Sequence, residues 1–525
     1  MKKLILFLFL PAIIFGQTEN KQSLELPDFI ITGTRGVEMP VLQKKKPKLI
    51  PVLSNDFFMP LFSPEDFAPE ILPAPYQKEL KLASPVTTYQ GKAAVSLGRY
   101  TLPAGEFSFV KDFSGLIMNF NALGSNIGDY VPNAGYNNSL LSLGGDYFVK
   151  SSSSFFNGTK FSFNGSYFRN SYKMFASPVP ADERNSSIFS EGASLSNNAF
   201  EYMSYDFALN AKQSAFNYLD SKETMVNGIG SIEFKSPLFN IVGRMDYKGA
   251  ALKNNAGYDD YNALLGTTAL LKIKPVSGMV ASFGVYLANY NSSSFFMPAA
   301  SLELILNQSL SLFADFSPQV ELNSFSDILS VNRYASFQPA VFQRKKGDMK
   351  ASLRYEYGRY FEITGGMGFA SYANFLYFED NIFPGVFSPM QTDAKRFYSF
   401  FKFTFLPGPF GYFYSDLTFQ QVKNDGGNYI PYQPMLDADL VYGYDFDSGL
   451  LFKVKLGLQT GAYTDSANND KLPSFQDLSV SLGYKILSNL TLKLEANNIT
   501  GSRNYYFNGY REKPFDILAG VEYRW

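Results

Sequence analysis

The sequence predicts an all-β protein: a transmembrane antiparallel β-barrel of about 22 strands, preceded by a proline-rich periplasmic arm. Three observations carry this expectation. The last strand-like segments alternate apolar and polar residues at period 2, and the final one runs to the end of the chain on an aromatic residue, Trp525. About 22 such segments follow one another from residue 91, most of them close to the roughly 9–11 residues that a tilted strand needs to cross a bilayer. The connections between them alternate short and long after the first hairpin, as they do where tight periplasmic turns face long outer loops. A soluble sandwich shares the dyad rhythm, so the aromatic ending and the loop pattern decide for the membrane. An even strand count also returns both ends of the barrel to the periplasmic rim, where the arm must be.

In chain order, residues 1–16 read as a signal peptide. Lys2 and Lys3 supply the positive start, and Leu4 to Phe15 the apolar core, which is too short to span a bilayer. Cleavage after Gly16 leaves Gln17 first, and no Cys follows to carry a lipid anchor. Residues 17–90 form the arm. Ten prolines fall here, together with the basic run Lys44, Lys45, Lys46 and Lys48. Proline fixes φ and lacks an amide proton, so an extended or partly disordered segment is expected. Within it, Asp28, Phe29, Ile30, Ile31 and Thr32 make a short β-prone stretch suited to pairing with the edge of a partner's sheet.

The barrel is expected over 91–525. Strands are placed near 92–99, 104–112, 114–122, 139–149, 159–168, 187–197, 200–211, 228–236, 239–248, 265–274 and 279–289. They continue near 299–307, 309–317, 350–357, 361–371, 395–406, 410–421, 436–445, 450–459, 478–486, 490–498 and 513–525. Long loops are expected at 123–138, 169–186, 249–264, 318–349, 372–394 and 460–477. In the last strand Phe515, Ile517, Ala519, Val521, Tyr523 and Trp525 share the lipid face, while Asp516, Leu518, Gly520, Glu522 and Arg524 share the lumen face. Charges elsewhere fit a wet lumen. Arg244 with Asp246, Arg354 with Glu356, and Asp439 opposite Lys455 lie on polar faces, where they read as salt-bridge ladders holding the wall.

Composition excludes several functions. A net charge of −1 offers no basic excess for a nucleic-acid partner. With no Cys and no His, the commonest nucleophile–base pairs and transition-metal sites cannot be built. Acidic pairs such as Asp259 with Asp260, or Asp445 with Asp447, read as solvated loop and turn carboxylates. No catalytic, metal or cofactor site is expected, and the protein is read as not an enzyme. Aromatics make up 17% of the chain, as 52 Phe, 35 Tyr and a single Trp, a load that suits lipid-facing walls and interfacial girdles. Tyr429 and Tyr432 suit either a ligand or plain loop packing.

The ending Gly520, Tyr523, Trp525 resembles the assembly signal of outer-membrane barrels, which implies recognition by the barrel-assembly machinery. The stretch from Asp28 to Arg35 resembles the TonB box, and Leu492 to Tyr506 is similar to the penultimate strand and loop of TonB-dependent receptors. Such receptors carry a globular plug, for which the roughly 74 residues of the arm are too few. The chain more closely resembles a plugless branch that opens with a hairpin like Leu97, Gly98, Tyr100, Pro103, Gly105 and Glu106. The resemblance implies an outer-membrane receptor or transport barrel for an unknown ligand, with outer-membrane lipid, TonB and a lid or lipoprotein as partners. The alternative is a non-transporting scaffold or accessory barrel of a surface or secretion complex. A lumen this wide must be filled by the arm, by inward-folded loops or by a partner.

Overall fold

The computed structural model describes residues 89–150, 156–358, 360–408 and 410–525. The signal peptide and nearly all of the arm, with Asp28 to Thr32, lie outside the described residues. The chain forms strands β1 (Gly91–Gly98), β2 (Thr101–Phe113), β3 (Leu116–Ile127), β4 (Tyr136–Phe148), β5 (Lys160–Lys173), β6 (Glu183–Asn197), β7 (Met203–Phe216) and β8 (Ser221–Lys235). Next come β9 (Phe239–Lys253), β10 (Asp259–Ile273), β11 (Met279–Tyr290), β12 (Ser293–Ile305), β13 (Leu310–Phe316) and β14 (Gln319–Asn323), then helix α1 (Phe325–Val331). The remainder are β15 (Val341–Tyr357), β16 (Phe361–Phe383), β17 (Val386–Gly408), β18 (Gly411–Asn424), β19 (Leu436–Asp445), β20 (Leu450–Gln459), β21 (Phe475–Leu487), β22 (Leu490–Asn497), β23 (Tyr505–Phe507), β24 (Tyr510–Arg511) and β25 (Asp516–Arg524).

Neighbours in sequence pair antiparallel all the way round, and β25 returns to pair with β1, so the sheet closes. One wall position is shared by β13 and β14, both partners of β15, which gives a barrel of 22 strands. Closure removes the free edge that lipid would leave without hydrogen-bond partners. The alternation read in the sequence sets the two faces. Ile517, Val521, Tyr523, Leu492 and Leu494 are exposed on the outer wall, whereas Asp516, Leu518 and Glu522 are buried inside. Exposed Phe113, Tyr147, Phe234, Tyr357, Phe446, Tyr484 and Trp525 gather near the short turns, as an aromatic girdle at the periplasmic interface.

Two expectations are corrected. Asp439 faces Gly457, and Lys455 faces Val441, because the turn sets Asp445 opposite Leu451. The two charges are therefore diagonal neighbours on one face rather than a direct pair. Two stretches expected as long loops, 249–264 and 372–394, are largely paired strand: in the second, β16 and β17 have 23 residues each and turn over at Pro384 and Gly385. The apolar alternation ends at the lipid boundary, but backbone pairing continues above it in water, where it leaves no dyad signature.

The outer wall gives a direct test. Leu494 is exposed to lipid while Asn497, in the same strand, pairs with Asp516 inside. Leu494→Arg is expected to lower the yield of heat-modifiable, membrane-inserted protein sharply, at a cost of about 2–4 kcal/mol near the midplane, and Asn497→Arg to leave it near wild type. Electrophoresis of unheated outer membranes reads the difference.

Candidate functional site: the seam and the closed mouth of the lumen

Two regions gather the polar and aromatic side chains that the wall encloses. The first is the seam between the first and last strands. Val95 lies opposite Val521 and Lys92 opposite Arg524. Gly520 faces inward against β1, and a Cβ added there would meet Val95 O at 2.6 Å and Ser96 Oγ at 2.5 Å. Only glycine lets the two backbones approach this closely. Tyr523 stacks on Trp525, with ring centroids 5.8 Å apart, and Trp525 leans on Phe107 at the same distance. The carbonyl of Trp525 accepts the amides of Gln90 and Gly91.

Inside the seam, the fully buried carboxylate of Glu522 is held by Lys493 (2.6 Å), Arg524 (2.5 Å) and Lys92 (3.7 Å). Lys92 also reaches Glu106 at 2.7 Å. Higher up, Asp516 accepts from the Tyr100 amide, the Thr101 hydroxyl and the Lys513 ammonium. The opening hairpin singled out in the sequence thus meets the closing strand through Gly98 and Tyr100, while its Glu106 reaches Lys92 of β1. Breaking a buried pair of this kind by removing one partner costs about 3–5 kcal/mol, because a charge is left uncompensated. The sequence placed Glu522 on the lumen face but gave no sign of its three cations, which come from three different strands.

The second region is the extracellular mouth. After β13 the chain turns into the lumen. Val320 and Leu322 of β14 pack against Ala250, Leu264, Tyr286, Ala288 and Met297 from the inner faces of β9 to β12. Helix α1 follows, started by a reciprocal capping box between Ser324 and Asp327. Its first amides, which have no partner within the helix, are met by the wall: the Glu223 carboxylate of β8 accepts from Phe325 N (2.7 Å) and Ser326 N (3.0 Å). Asp327 is gripped on both oxygens, by Lys212 of β7 at 2.9 Å and Lys248 of β9 at 2.8 Å. Burial alone would raise the Asp327 pKa, but the two ammonium groups outweigh it and hold the carboxyl well below the usual carboxylate range. Phe325 packs edge-on against Phe216, 4.9 Å between centroids.

Other loops complete this closure. Ile328 of α1 joins Tyr172, Met174, Tyr334, Val341, Phe378, Phe387 and Tyr510 in one buried cluster. Tyr510, from the small hairpin β23–β24, stacks flat on Tyr334 and donates its hydroxyl to the Gly385 carbonyl at 2.7 Å. Tyr432 packs on Phe387 and Phe507, and Tyr429 stacks on Tyr463 with Lys423 over its face. Both tyrosines therefore pack loops against one another, the plainer of the two sequence readings. The acidic pair is likewise committed: Asp259 pairs with Lys253 at 2.9 Å, and Asp260 accepts from Tyr258 and Asn262.

This architecture defines the class: an outer-membrane β-barrel with the 22-stranded wall of the TonB-dependent receptors. Among solved structures it is similar to the ferric-catecholate import receptor Fiu of E. coli K12, with a TM-score of 0.63 and 10% identity over 84% of this chain and 82% of that one. The siderophore receptor PiuA of Acinetobacter baumannii matches at 0.61 and 10% identity, over 85% of this chain and 82% of its own. The ferric enterobactin receptor PfeA of Pseudomonas aeruginosa matches at 0.61 and 9% identity, over 83% and 80%. At such identity the likeness is one of fold. No family profile and no curated protein matches the sequence.

Two outcomes are expected. Gly520→Val, or removal of Tyr523 to Trp525, should each reduce heat-modifiable barrel several-fold, the first by collision with the β1 backbone and the second by loss of the closing end. For Asp327, whose folded pKa is depressed, the stabilisation is full above the unfolded carboxylate pKa of about 3.9 and fades only as acid carries the pH down toward the folded value. The protection that Asp327 lends the α1 amides, read as the rise in their hydrogen exchange on Asp327→Asn and corrected for intrinsic rate, should therefore be equal at pH 7 and pH 5.

Proposed function

We propose that this protein is a receptor and transport barrel of the plugless kind, which admits a solute through its lumen and takes energy from the periplasmic side through its arm. The observation that supports this best is the closed wall around a polar lumen whose outer mouth is shut by inward-folded loops rather than left open. A wide conduit shut in this way opens only when ligand or energy shifts the loops. One structural neighbour is named as a ferric-catecholate import receptor and another as a siderophore receptor; the solute here is a matter for this chain's own lumen. In this reading the arm, with Phe29, Ile30 and Ile31, adds as a strand to the sheet of TonB, and Gly520, Tyr523 and Trp525 are read by the barrel-assembly machinery.

A second reading has its own support. The mouth is closed by a buried apolar cluster, not by a few polar contacts, which suits a non-transporting scaffold for a lipoprotein or surface complex. Conductance of the purified protein in planar bilayers, before and after loop deletion, separates the two. A scaffold stays closed with every ligand and binds its partner regardless.

Strand addition uses backbone amides, so Ile30→Pro should abolish coupling while Ile30→Ala weakens it less. Since the chain has no Cys of its own, Phe29→Cys gives a clean crosslinking site. A disulfide or maleimide crosslink to TonB is expected. Its absence, with the new thiol still open to a soluble reagent, counts against energy coupling through the arm.

A further inference from the structure

The inner wall beneath α1 carries more polar groups than the helix uses. On β7, β8 and β9 the lumen-facing side chains form rows set by the register. Asn210 lies opposite Asn227, and Asn227 opposite Lys248. One step above, Lys212 lies opposite Met225, and Ser214 opposite Glu223. Lys212 and Lys248 converge on the two oxygens of one carboxylate, Asp327, which comes from the inward loop and not from the wall. The wall thus holds a seat for a carboxylate with two ammonium donors already aimed at it. Beside that seat are side chains without partners. Asn210 is 3% exposed, and neither its amide nitrogen nor its oxygen has a hydrogen-bond partner; Ser214, also 3% exposed, has an unpartnered hydroxyl. Both share the inner face of β7 with Lys212. A buried amide left unpaired costs free energy that a ligand making those bonds would recover.

We propose that Lys212, Lys248 and Asn210 form a binding site for a compact dicarboxylate solute, which Asp327 of α1 occupies as a built-in competitor. This rests on the reading of the lumen as a solute pathway, and it names the class of solute. One carboxylate of the solute takes the place of the Asp327 carboxylate between the two ammonium groups. The other reaches the amide of Asn210, on the side of Lys212 away from Ser214 and the Glu223 carboxylate. Asp327 is tethered and so competes at high effective concentration, which sets the affinity that a free solute must exceed. Its displacement breaks the tie of α1 to β7 and β9 and leaves the helix held by Glu223 at its first amides and by the packing of Phe325 and Ile328, so binding of solute loosens the loop.

The test uses the full-length protein in detergent micelles, titrated calorimetrically with succinate. Asp327→Ala removes the competitor and is expected to bind succinate at least tenfold more tightly than wild type. Lys212→Gln with Lys248→Gln, added to Asp327→Ala, should abolish that binding, and succinamide, which has the shape without the charge, should not bind to any form. Affinity unchanged by Asp327→Ala, a gain that survives loss of both lysines, or equal binding of succinamide would each overturn the proposal. Heat modifiability checks that every variant folds. Should Asp327→Ala fail that check, a fluorophore on Val331→Cys, at the exposed end of α1, reads helix release in an otherwise native chain. Saturating succinate should change its emission, and an unchanged signal also overturns the site. Binding is measured without transport. A protein that binds succinate but conducts nothing keeps this site and loses the uptake reading, and one that couples to TonB but ignores succinate does the reverse.

Discussion

Everything in this molecule depends on the pairing of its last strand with its first. Within lipid no water is present to satisfy an open strand edge, so a sheet of this length is tolerable only if it has no edge. Seven residue pairs between β1 and β25 provide that. The local chemistry is arranged around this requirement. Glycine at 520 permits the approach, and a buried carboxylate with three cations fixes the inner face. Two stacked aromatics finish the outer face at the interface.

Closure in turn creates the second problem, an enclosed aqueous bore. The chain meets it from the extracellular end by folding β14 and α1 inward and by roofing them with hairpins from opposite sides of the wall. The two parts of this closure differ in kind. The roof is apolar and aromatic, built around Tyr334 and Tyr510. Its attachment to the wall is polar, through the ion pairs of Asp327 and the hydrogen bonds that Glu223 accepts. Apolar burial is non-directional and tolerant, whereas the ionic contacts are specific in position and exchangeable for other anions. A closure assembled this way is stable as a body while its link to the wall can be traded.

The wall was legible in the sequence and the mouth was not. Period-2 alternation in segments such as Leu490 to Asn497 reports a sheet with lipid on one side, and that signal is local, so strand number and faces followed from it. The interior of the mouth obeys no period. Asp327 meets Lys212 and Lys248 across 115 and 79 residues of sequence, and the only local cue was a serine three residues ahead of an aspartate. Likewise, the upper halves of β16 and β17 carry Tyr377, Phe378, Glu379 and Phe387, all buried by neighbouring loops rather than by lipid, so the rule linking apolar side chains to the membrane face fails there. Register was the other weak point. Asp439 and Lys455 were correctly put on one face, but the four-residue turn between their strands shifts the pairing by two, a shift that preserves the face and changes the partner.

The place where the chain enters the wall at Gln90 has a mechanical consequence. Gln90 and Gly91 both donate to the terminal carbonyl of Trp525, and β1 then runs up the wall bonded to β2 on one flank and β25 on the other. Tension applied to the chain ahead of Gln90 would pull along the axis of β1 rather than across it. Hydrogen bonds perpendicular to a strand then share the load in parallel, as shear, instead of opening one after another like a zipper. The ion pairs of Lys92 with Glu106 and Glu522 lie within the first loaded residues and add to that resistance. The barrel would thus withstand a pull on the chain ahead of Gln90, and the force would travel up the first hairpin to Tyr100 and Thr101, where Asp516 and Lys513 tie it to the base of the outer loops.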